Sequence, residues 1–197
     1  MTRATRNGLI AFIVVLIVLL GGFAYRQITG ADDAAQSPVP IGGRFTLTDQ
    51  NGVVRHDSDF HGKPTLIYFG YTFCPDVCPT TLTMMSDALA KLGPDAARFT
   101  PIFITVDPAR DTPLQLKQYM ESFDRRFIAL TGSDAQIKQV AAEYRVYYRK
   151  VAGDNPKQYT MDHSSVIYLM GGDGNYVGHF LTTISADELA QGLRKYK

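Results

Sequence analysis

PTLIYFGYTFCPDVCPTTLTMMSDALAKL, residues 64–92, decides the fold, because it predicts a buried strand that is followed directly by a helix. The apolar run from Pro64 to Gly70 is typical of a strand that is buried on both faces. The helix is indicated by apolar residues at helical spacing, which are Leu82, Met85, Leu89 and Leu92. Pro79 suits the first helical turn. Cys74 and Cys78, the two cysteines of the chain, therefore lie where the strand passes into the helix.

Strands and helices alternate along the rest of the chain from about residue 45. Further strands are predicted at residues 45–48, 53–56, 101–106, 127–130, 164–170 and 176–180. Further helices are predicted at residues 113–123, 135–144 and 186–196, with Thr112 and Ser185 as caps of the first and the last. Turn residues occupy 153–156 and 171–174, and the second turn joins the last two strands as a hairpin. This order predicts an α/β thioredoxin-like fold, with a mixed central sheet flanked by helices.

A single transmembrane helix is predicted ahead of this domain. Residues 8–25 contain no charge and would span roughly 27 Å as a helix, near the thickness of a bilayer core. Arg3 and Arg6 precede the apolar run, so the positive-inside rule places residues 1–7 in the cytoplasm and the rest outside. Residues 26–40 are predicted to be a linker, and residues 41–197 the globular domain. We expect a single-pass protein of a bacterial inner membrane with its domain in the periplasm; a cleaved signal peptide is the alternative.

Composition narrows the function classes. Of 197 residues, 45% are apolar and 20% charged, which suffices for one well-buried domain and an appendage. Lysine and arginine number 20 against 19 aspartate and glutamate residues, for a net charge of +1. This balance provides no basic field for nucleic acid, and we expect no nucleic-acid partner.

The cysteine pair points to chemistry rather than to a structural disulfide. Cα atoms four residues apart on a helix are about 6 Å apart, which allows a disulfide or a soft metal ion shared by two sulfurs. A disulfide that closes so small a loop stabilises little. The positive end of the helix dipole would stabilise the thiolate form. Asp76 lies between the two cysteines in the sequence. Its negative charge opposes thiolate formation but would stabilise a bound cation, so this residue modestly favours metal binding.

His163 is the candidate third ligand. A single histidine at the start of a strand is more often structural. In thioredoxin-like domains, however, the loop that enters the final hairpin packs against the first strand–helix turn, and here that loop is Met161–Ser164. One imidazole with two thiolates forms a set of donors suited to Cu(I) and able to hold Cu(II).

A polar segment, TVDPARDTP at residues 105–113, follows the neighbouring strand. Its simplest interpretation is turn chemistry with Thr112 capping a helix. Because it lies at the carboxyl edge of the sheet, where α/β sites form, Asp107 and Arg110 are also candidates to support the ligands or to dock a partner. Asp76 and Asp162 are candidates for the same roles. Tyr71, Phe73 and Tyr159 are predicted to shield the site.

Three motifs together resemble the Sco/SenC family: CPDVCP, VDPARDTP and YTMDHSSVIYLM, over about residues 41–197. The resemblance implies a membrane-tethered copper protein with Cys74, Cys78 and His163 as ligands. It implies assembly of the CuA centre in subunit II of cytochrome c oxidase, by delivering copper, by reducing the target's cysteines through Cys74 and Cys78, or both. Another periplasmic copper chaperone is a further candidate partner.

Two other functions remain open. A thiol–disulfide oxidoreductase or peroxidase would not require His163, and its usual motif has two residues between the cysteines rather than three. A periplasmic copper store or sensor is the other.

Overall fold

The computed structural model describes residues 14–22, 40–155 and 158–196. Two units are distinguished, one up to Val39 and one from Pro40 onward. In the first unit, residues 14–22 are helical. No helix within the described residues is both long enough and apolar enough to span a bilayer. Most of the predicted anchor at 8–25 and of the linker at 26–40 lies outside the described residues, and both remain predictions.

In the second unit, the described residues form nine strands and four α-helices. The strands are β1 (Thr46–Asp49), β2 (Val54–His56), β3 (Thr65–Gly70), β4 (Thr100–Thr105), β5 (Ile128–Thr131), β6 (Tyr148–Asn155), β7 (Gln158–His163), β8 (Val166–Met170) and β9 (Tyr176–Leu181). The helices are α1 (Val77–Leu92), α2 (Pro113–Met120), α3 (Asp134–Glu143) and α4 (Ala186–Lys195). Short 3₁₀ helices cover Asp57–Phe60 and Gly93–Arg98.

Seven strands form one mixed sheet in the order β2-β1-β5-β4-β3-β8-β9. β3, β4 and β5 run parallel, whereas β1, β8 and β9 are antiparallel to their neighbours. Every residue of β3 is buried, as expected for a central strand between two layers. α4 packs against α1, α2 contacts β5, and α3 contacts β1. The predicted α/β class and mixed sheet are confirmed.

The predicted caps form as expected. Thr112 accepts a hydrogen bond from the backbone N–H of Gln115 at the start of α2, and Ser185 accepts one from that of Glu188 at the start of α4. Lys91 of α1 pairs with Asp187 of α4 at 2.9 Å. α2 ends at Met120, three residues before the predicted end, and the other boundaries lie within a few residues of prediction.

The sequence interpretation missed one hairpin. Turn residues at 153–156 were predicted, but β6 continues to Asn155 and pairs with β7 in a separate two-stranded sheet. Tyr159, Met161 and His163 alternate with exposed residues along β7, which is the period of a strand. His163 therefore ends a strand; the prediction of a loop entering the final hairpin at 161–164 was wrong, because the polar residues of β7 concealed this alternation.

Candidate metal centre

The two cysteines lie on either side of the first residue of α1. Cys74 belongs to a turn in which its N–H donates to the carbonyl of Tyr71 at 3.3 Å. Asp76 is the residue before the helix, and Cys78 lies in the first turn, where its backbone N–H donates to Cys74 Sγ at 3.4 Å. The N–H of Cys78, in the first turn of the helix, thus faces the sulfur of Cys74, in keeping with the predicted stabilisation of a thiolate at the helix N-terminus.

The sulfurs differ in exposure. Cys78 is fully buried, whereas Cys74 is partly exposed. Gly70, at the end of β3, makes room for the buried sulfur, because a Cβ at this position would lie 2.9 Å from Cys78 Sγ. The hydroxyl of Tyr68 donates to Cys78 Sγ at 3.7 Å. One cysteine is therefore enclosed by the core, and the other faces the entrance.

His163 brings its imidazole to this pair from the end of β7. Its Nε2 lies 3.5 Å from Cys78 Sγ. Its Nδ1 lies 3.0 Å from the carbonyl oxygen of Ser164, and a carbonyl can only accept, so Nδ1 carries the proton. In the neutral ring the lone pair of Nε2 then faces the sulfurs. This is how proteins orient a metal-binding histidine.

Hydrogen bonds shift the two thiol pKa values in opposite directions. The pKa of Cys74 is lowered, mainly because the Cys78 thiol donates to its sulfur; the backbone N–H groups of Asp76 and Cys78 add to the effect against the cost of burial. The pKa of Cys78 is raised, because its proton is held by Cys74 and because burial disfavours its charged form. The first thiolate is therefore that of Cys74.

The donor atoms suit a soft cation. Among the described residues, no three His, Cys, Asp or Glu side chains already stand as a complete metal-binding group. The separation of Cys78 Sγ and His163 Nε2 is nevertheless close to that of two ligands on one ion, since bonds of about 2.3 and 2.0 Å at tetrahedral angles place the donors about 3.5 Å apart. Two thiolates and an imidazole are donors that copper accepts.

Asp107 and Arg110 lie behind the site. They form an ion pair with each other, and the guanidinium of Arg110 lies over the rings of Tyr159, Phe73 and Tyr71. Tyr71 is buried and presents its ring edge-on to His163, with 6.0 Å between ring centroids. The predicted shielding is clear for Tyr71, whereas Phe73 is half exposed.

Asp76 and Asp162 are not brought to the donor atoms. Asp76 is exposed and its carboxylate accepts a hydrogen bond from the hydroxyl of Thr80 at 3.3 Å. Asp162 points to the opposite face of β7 from His163, as successive strand residues do, and pairs with Arg149 at 2.8 Å.

Asp111 is a supporting residue that the sequence interpretation did not single out. It is fully buried and accepts hydrogen bonds from the N–H and the hydroxyl of Thr72 and from the hydroxyl of Thr105. It thus joins the turn before Cys74 to the end of β4. The sequence feature that could have indicated Asp111 was its place in the polar segment at 105–113. No sequence feature indicated that Tyr68 contacts Cys78.

Comparison with known proteins agrees with this site. A family model described as SCO1/SenC matches residues 33–197. An SCO2-like protein of Rickettsia conorii is 38% identical over 200 residues, which cover 96% of this chain and 98% of the relative. The structure of Bradyrhizobium japonicum ScoI with copper bound is 49% identical and superposes with a TM-score of 0.75, covering 80% of this chain and 99% of that one.

A more distant structure is that of BsSco, a member of the Sco family of cytochrome c oxidase assembly proteins. It is 23% identical, with a TM-score of 0.63, and covers 80% of this chain and 94% of its own, so it bears on the fold alone. Together, these likenesses confirm the thioredoxin-like α/β fold.

Proposed function

The chain belongs to the SCO1/SenC family, and from that premise we propose that it is a copper metallochaperone that assists the assembly of cytochrome c oxidase. The solved relative from Bradyrhizobium japonicum holds copper, and the family that includes BsSco is one of cytochrome c oxidase assembly proteins. The ligands in this chain are Cys74, Cys78 and His163, and the ion is cargo rather than a resident cofactor. The receiving site is the CuA centre of subunit II.

One observation carries the proposal: Nε2 of His163 lies 3.5 Å from Cys78 Sγ while Nδ1–H is held by the carbonyl of Ser164. This orientation leaves the Nε2 lone pair directed at the thiol pair, where it can coordinate a cation. With two thiolates, this imidazole provides soft and borderline donors, which suits Cu(I) and also accepts Cu(II).

The difference in exposure between the sulfurs suits delivery. Cys74, being partly exposed, is the donor that an incoming ligand of the target replaces first. Cys78 is buried and keeps its hold until the target has bound the ion. Binding requires both sulfurs as thiolates, so a Cys74–Cys78 disulfide excludes copper and reduction restores binding.

A second candidate function is reduction of the target's cysteines, and the stabilised thiolate of Cys74 favours it. The Cys74 thiolate attacks one sulfur of the target disulfide, which forms a mixed disulfide and releases one target thiolate. Cys78, after losing its proton, attacks Cys74 and releases the second. The target gains two electrons, and the protein ends as the Cys74–Cys78 disulfide.

Location follows from the predicted anchor. Residues 8–25 would hold the protein in a bacterial inner membrane, with residues 1–7 in the cytoplasm and residues 41–197 in the periplasm on the linker 26–40. The Rickettsia conorii relative is also bacterial. A second periplasmic copper chaperone is the proposed source of the ion.

Copper titration of the reduced full-length protein in detergent tests the ligand set. His163→Ala should lose more affinity than the roughly 10–100-fold that an outer hydrogen-bond partner contributes. His179→Ala is the matched control, because His179 is exposed on β9 and contacts Tyr176. Equal affinity for wild type and His163→Ala, or equal stoichiometry for oxidised and reduced protein, would contradict the proposal.

Oxidase activity in cells separates the two functions. If delivery is essential, His163→Ala should give low activity that added copper partly restores, because mass action can replace a carrier. If reduction is essential, His163→Ala should give normal activity, and copper should rescue neither Cys74→Ser nor Cys78→Ser. Normal activity of His163→Ala at low copper would rule out the metallochaperone.

A further inference from the structure

The strand that ends in His163 is held to the domain by side chains rather than by pairing with a strand of the seven-stranded sheet. Within the described residues, β6 and β7 pair with each other in a sheet of their own, apart from the seven-stranded sheet. A two-stranded hairpin alone is marginally stable in water. The position of His163 therefore depends on what holds β7 in place.

Arg110 makes two contacts with Tyr159, four residues before His163 on β7. Its Nη1 donates to the backbone carbonyl of Tyr159 at 3.0 Å. Its guanidinium carbon lies 3.6 Å from the centroid of the Tyr159 ring, which is a close cation–π contact. Both the backbone and the side chain of β7 are thus tied to the loop after β4.

Asp107 completes a closed set of contacts. It is buried, it pairs with Nε of Arg110, and it accepts a hydrogen bond from the hydroxyl of Tyr159 at 2.8 Å. We call Asp107, Arg110 and Tyr159 the clamp. Each member contacts the other two, so the hairpin cannot shift along the domain without breaking the set.

The clamp also contacts the ring that packs on His163. The guanidinium of Arg110 lies 5.7 Å from the centroid of Tyr71, and Tyr71 meets His163 edge to face. Arg110 thus acts on His163 by two routes, one through the backbone of β7 and one through Tyr71.

The surroundings of the Arg110 side chain fit a planar guanidinium group. Phe73, Tyr71 and Tyr159 surround Arg110, and its buried Nη2 has no hydrogen-bond partner among the described residues. Arginine tolerates such stacking because its charge is delocalised and weakly hydrated, whereas an ammonium needs three hydrogen bonds. Lysine should therefore not replace arginine here.

We propose that the clamp positions His163 against Cys74 and Cys78, so that Arg110 sets copper affinity without binding the ion. This inference rests on the proposed function, in which His163 is a ligand. Loss of the clamp leaves the thiols in place but lets the imidazole leave them. Outer contacts of this kind are worth roughly 10–100-fold in metal affinity.

The test compares full-length Arg110→Gln in detergent with wild type, and Arg126→Gln is the matched control. Arg126 also pairs with a nearby carboxylate, Asp124, but within the described residues its side-chain hydrogen bonds go to that carboxylate and not to the hairpin. In metal-free protein, the NMR signals of the His163 ring should show one tautomer in wild type and averaging in Arg110→Gln. Amides of residues 158–163 should exchange faster only in Arg110→Gln.

Copper titration then tests whether the position of the His163 ring determines the affinity of the protein for copper. Arg110→Gln and Arg110→Lys should each weaken binding roughly tenfold or more, and Arg126→Gln should not. In a His163→Ala background, Arg110→Gln should cause no further loss of copper affinity, because its effect acts through the His163 ring that this background lacks. Should Arg110→Gln fail to fold, Tyr159→Phe, which removes only the hydroxyl bond to Asp107, should show the same changes to a smaller degree.

The outcomes separate the two proposals. Wild-type imidazole signals in metal-free Arg110→Gln would overturn the clamp, as would a full further loss of affinity in the His163→Ala background. Wild-type copper affinity for His163→Ala alone would refute the ligand set, whereas the metal-free signals would still decide whether the clamp holds the ring.

Discussion

At the scale of single residues, Cys74 and Cys78 carry the same side chain in opposite environments. The Cys78 thiol donates a hydrogen bond to the sulfur of Cys74. This bond is the main reason that the pKa of Cys74 is lowered and that of Cys78 is raised. Burial of Cys78 adds to its own shift. Reactivity should therefore be unequal, although the two cysteines are only four positions apart in the sequence.

Alkylation by iodoacetamide in reduced, copper-free protein tests this asymmetry. A thiol with an unperturbed pKa near 8.5 loses about tenfold in rate for each pH unit below that value. Cys74 should instead react at a nearly constant rate from pH 8 down to pH 6, because its lowered pKa keeps it a thiolate there. Mass spectrometry should find the label on Cys74 and little on Cys78.

Cys78→Ala supplies the control, since it removes the donor that stabilises the Cys74 thiolate. The alkylation rate of Cys74 in this variant should fall as pH is lowered from 8 to 6. An ordinary pH dependence for Cys74 in the wild-type protein would contradict the assigned hydrogen bond.

Gly70 is a second residue with a specific requirement. Its missing side chain leaves room for Cys78 Sγ and for a ring carbon of Phe103, each of which would lie 2.9 Å from a Cβ. Gly70→Ala should destabilise the protein by about 1–3 kcal/mol through overpacking, and it should weaken copper binding by displacing the sulfur. Urea unfolding and copper titration measure the two effects.

Gly178→Ala is the matched comparison for that experiment. A Cβ at Gly178, in β9, would meet nothing within 4 Å. The variant should therefore retain wild-type copper affinity. If Gly70→Ala were as harmless as Gly178→Ala, the close packing of Cys78 against the end of β3 would be refuted.

At the scale of elements, Asp111 joins the segments that follow β3 and β4. Asp111→Ala should lower the free energy of unfolding by about 1–3 kcal/mol, because the partly buried N–H of Thr72 and two hydroxyls lose their acceptor. Urea denaturation is the measurement. Asp95→Ala, at an exposed position of the second 3₁₀ helix, should cost little, and an equal loss from the two changes would argue against the buried role of Asp111.

The central elements could be predicted because their signals are local. β3 and α1 follow from an apolar run and a helical stripe in adjacent segments, and the caps at Thr112 and Ser185 follow from residue type. The meeting of Cys78 with His163 could be anticipated only through the expected fold, which places the two segments side by side.

The remaining elements depend on contacts that are distant in sequence. The hairpin β6–β7 was missed because a strand with one exposed polar face resembles a loop in composition. The roles of Arg110 and Asp111 depend on Tyr159, Thr72 and Thr105, and one sequence does not show which of these are neighbours. The need for a glycine at residue 70 arises from the sulfur opposite it, which only the packed structure reveals.

At the scale of the whole molecule, the unit from Pro40 onward has a hydrophobic core of its own. Protein beginning at residue 40 should therefore fold and remain soluble without detergent, and circular dichroism and gel filtration would measure this. Full-length protein should resist extraction from membranes by salt if residues 8–25 form the proposed anchor. Aggregation of the shorter protein, together with release of the full-length protein by salt, would refute that proposal.

Cys78 and His163 lie 85 positions apart along the chain. In the proposed export, the cysteine pair would reach the periplasm before the strand that ends in His163, so a nascent chain would offer copper two sulfurs but not the proposed third donor. The proposed donor set would be complete only after β7 has docked, and an ion bound by all three donors would mark a molecule whose maturation is finished. At a free copper concentration 100 times the dissociation constant, binding of such an ion would stabilise the native state by about 2.7 kcal/mol. Loading would then serve as quality control, since misfolded copies would hold copper weakly and deliver none.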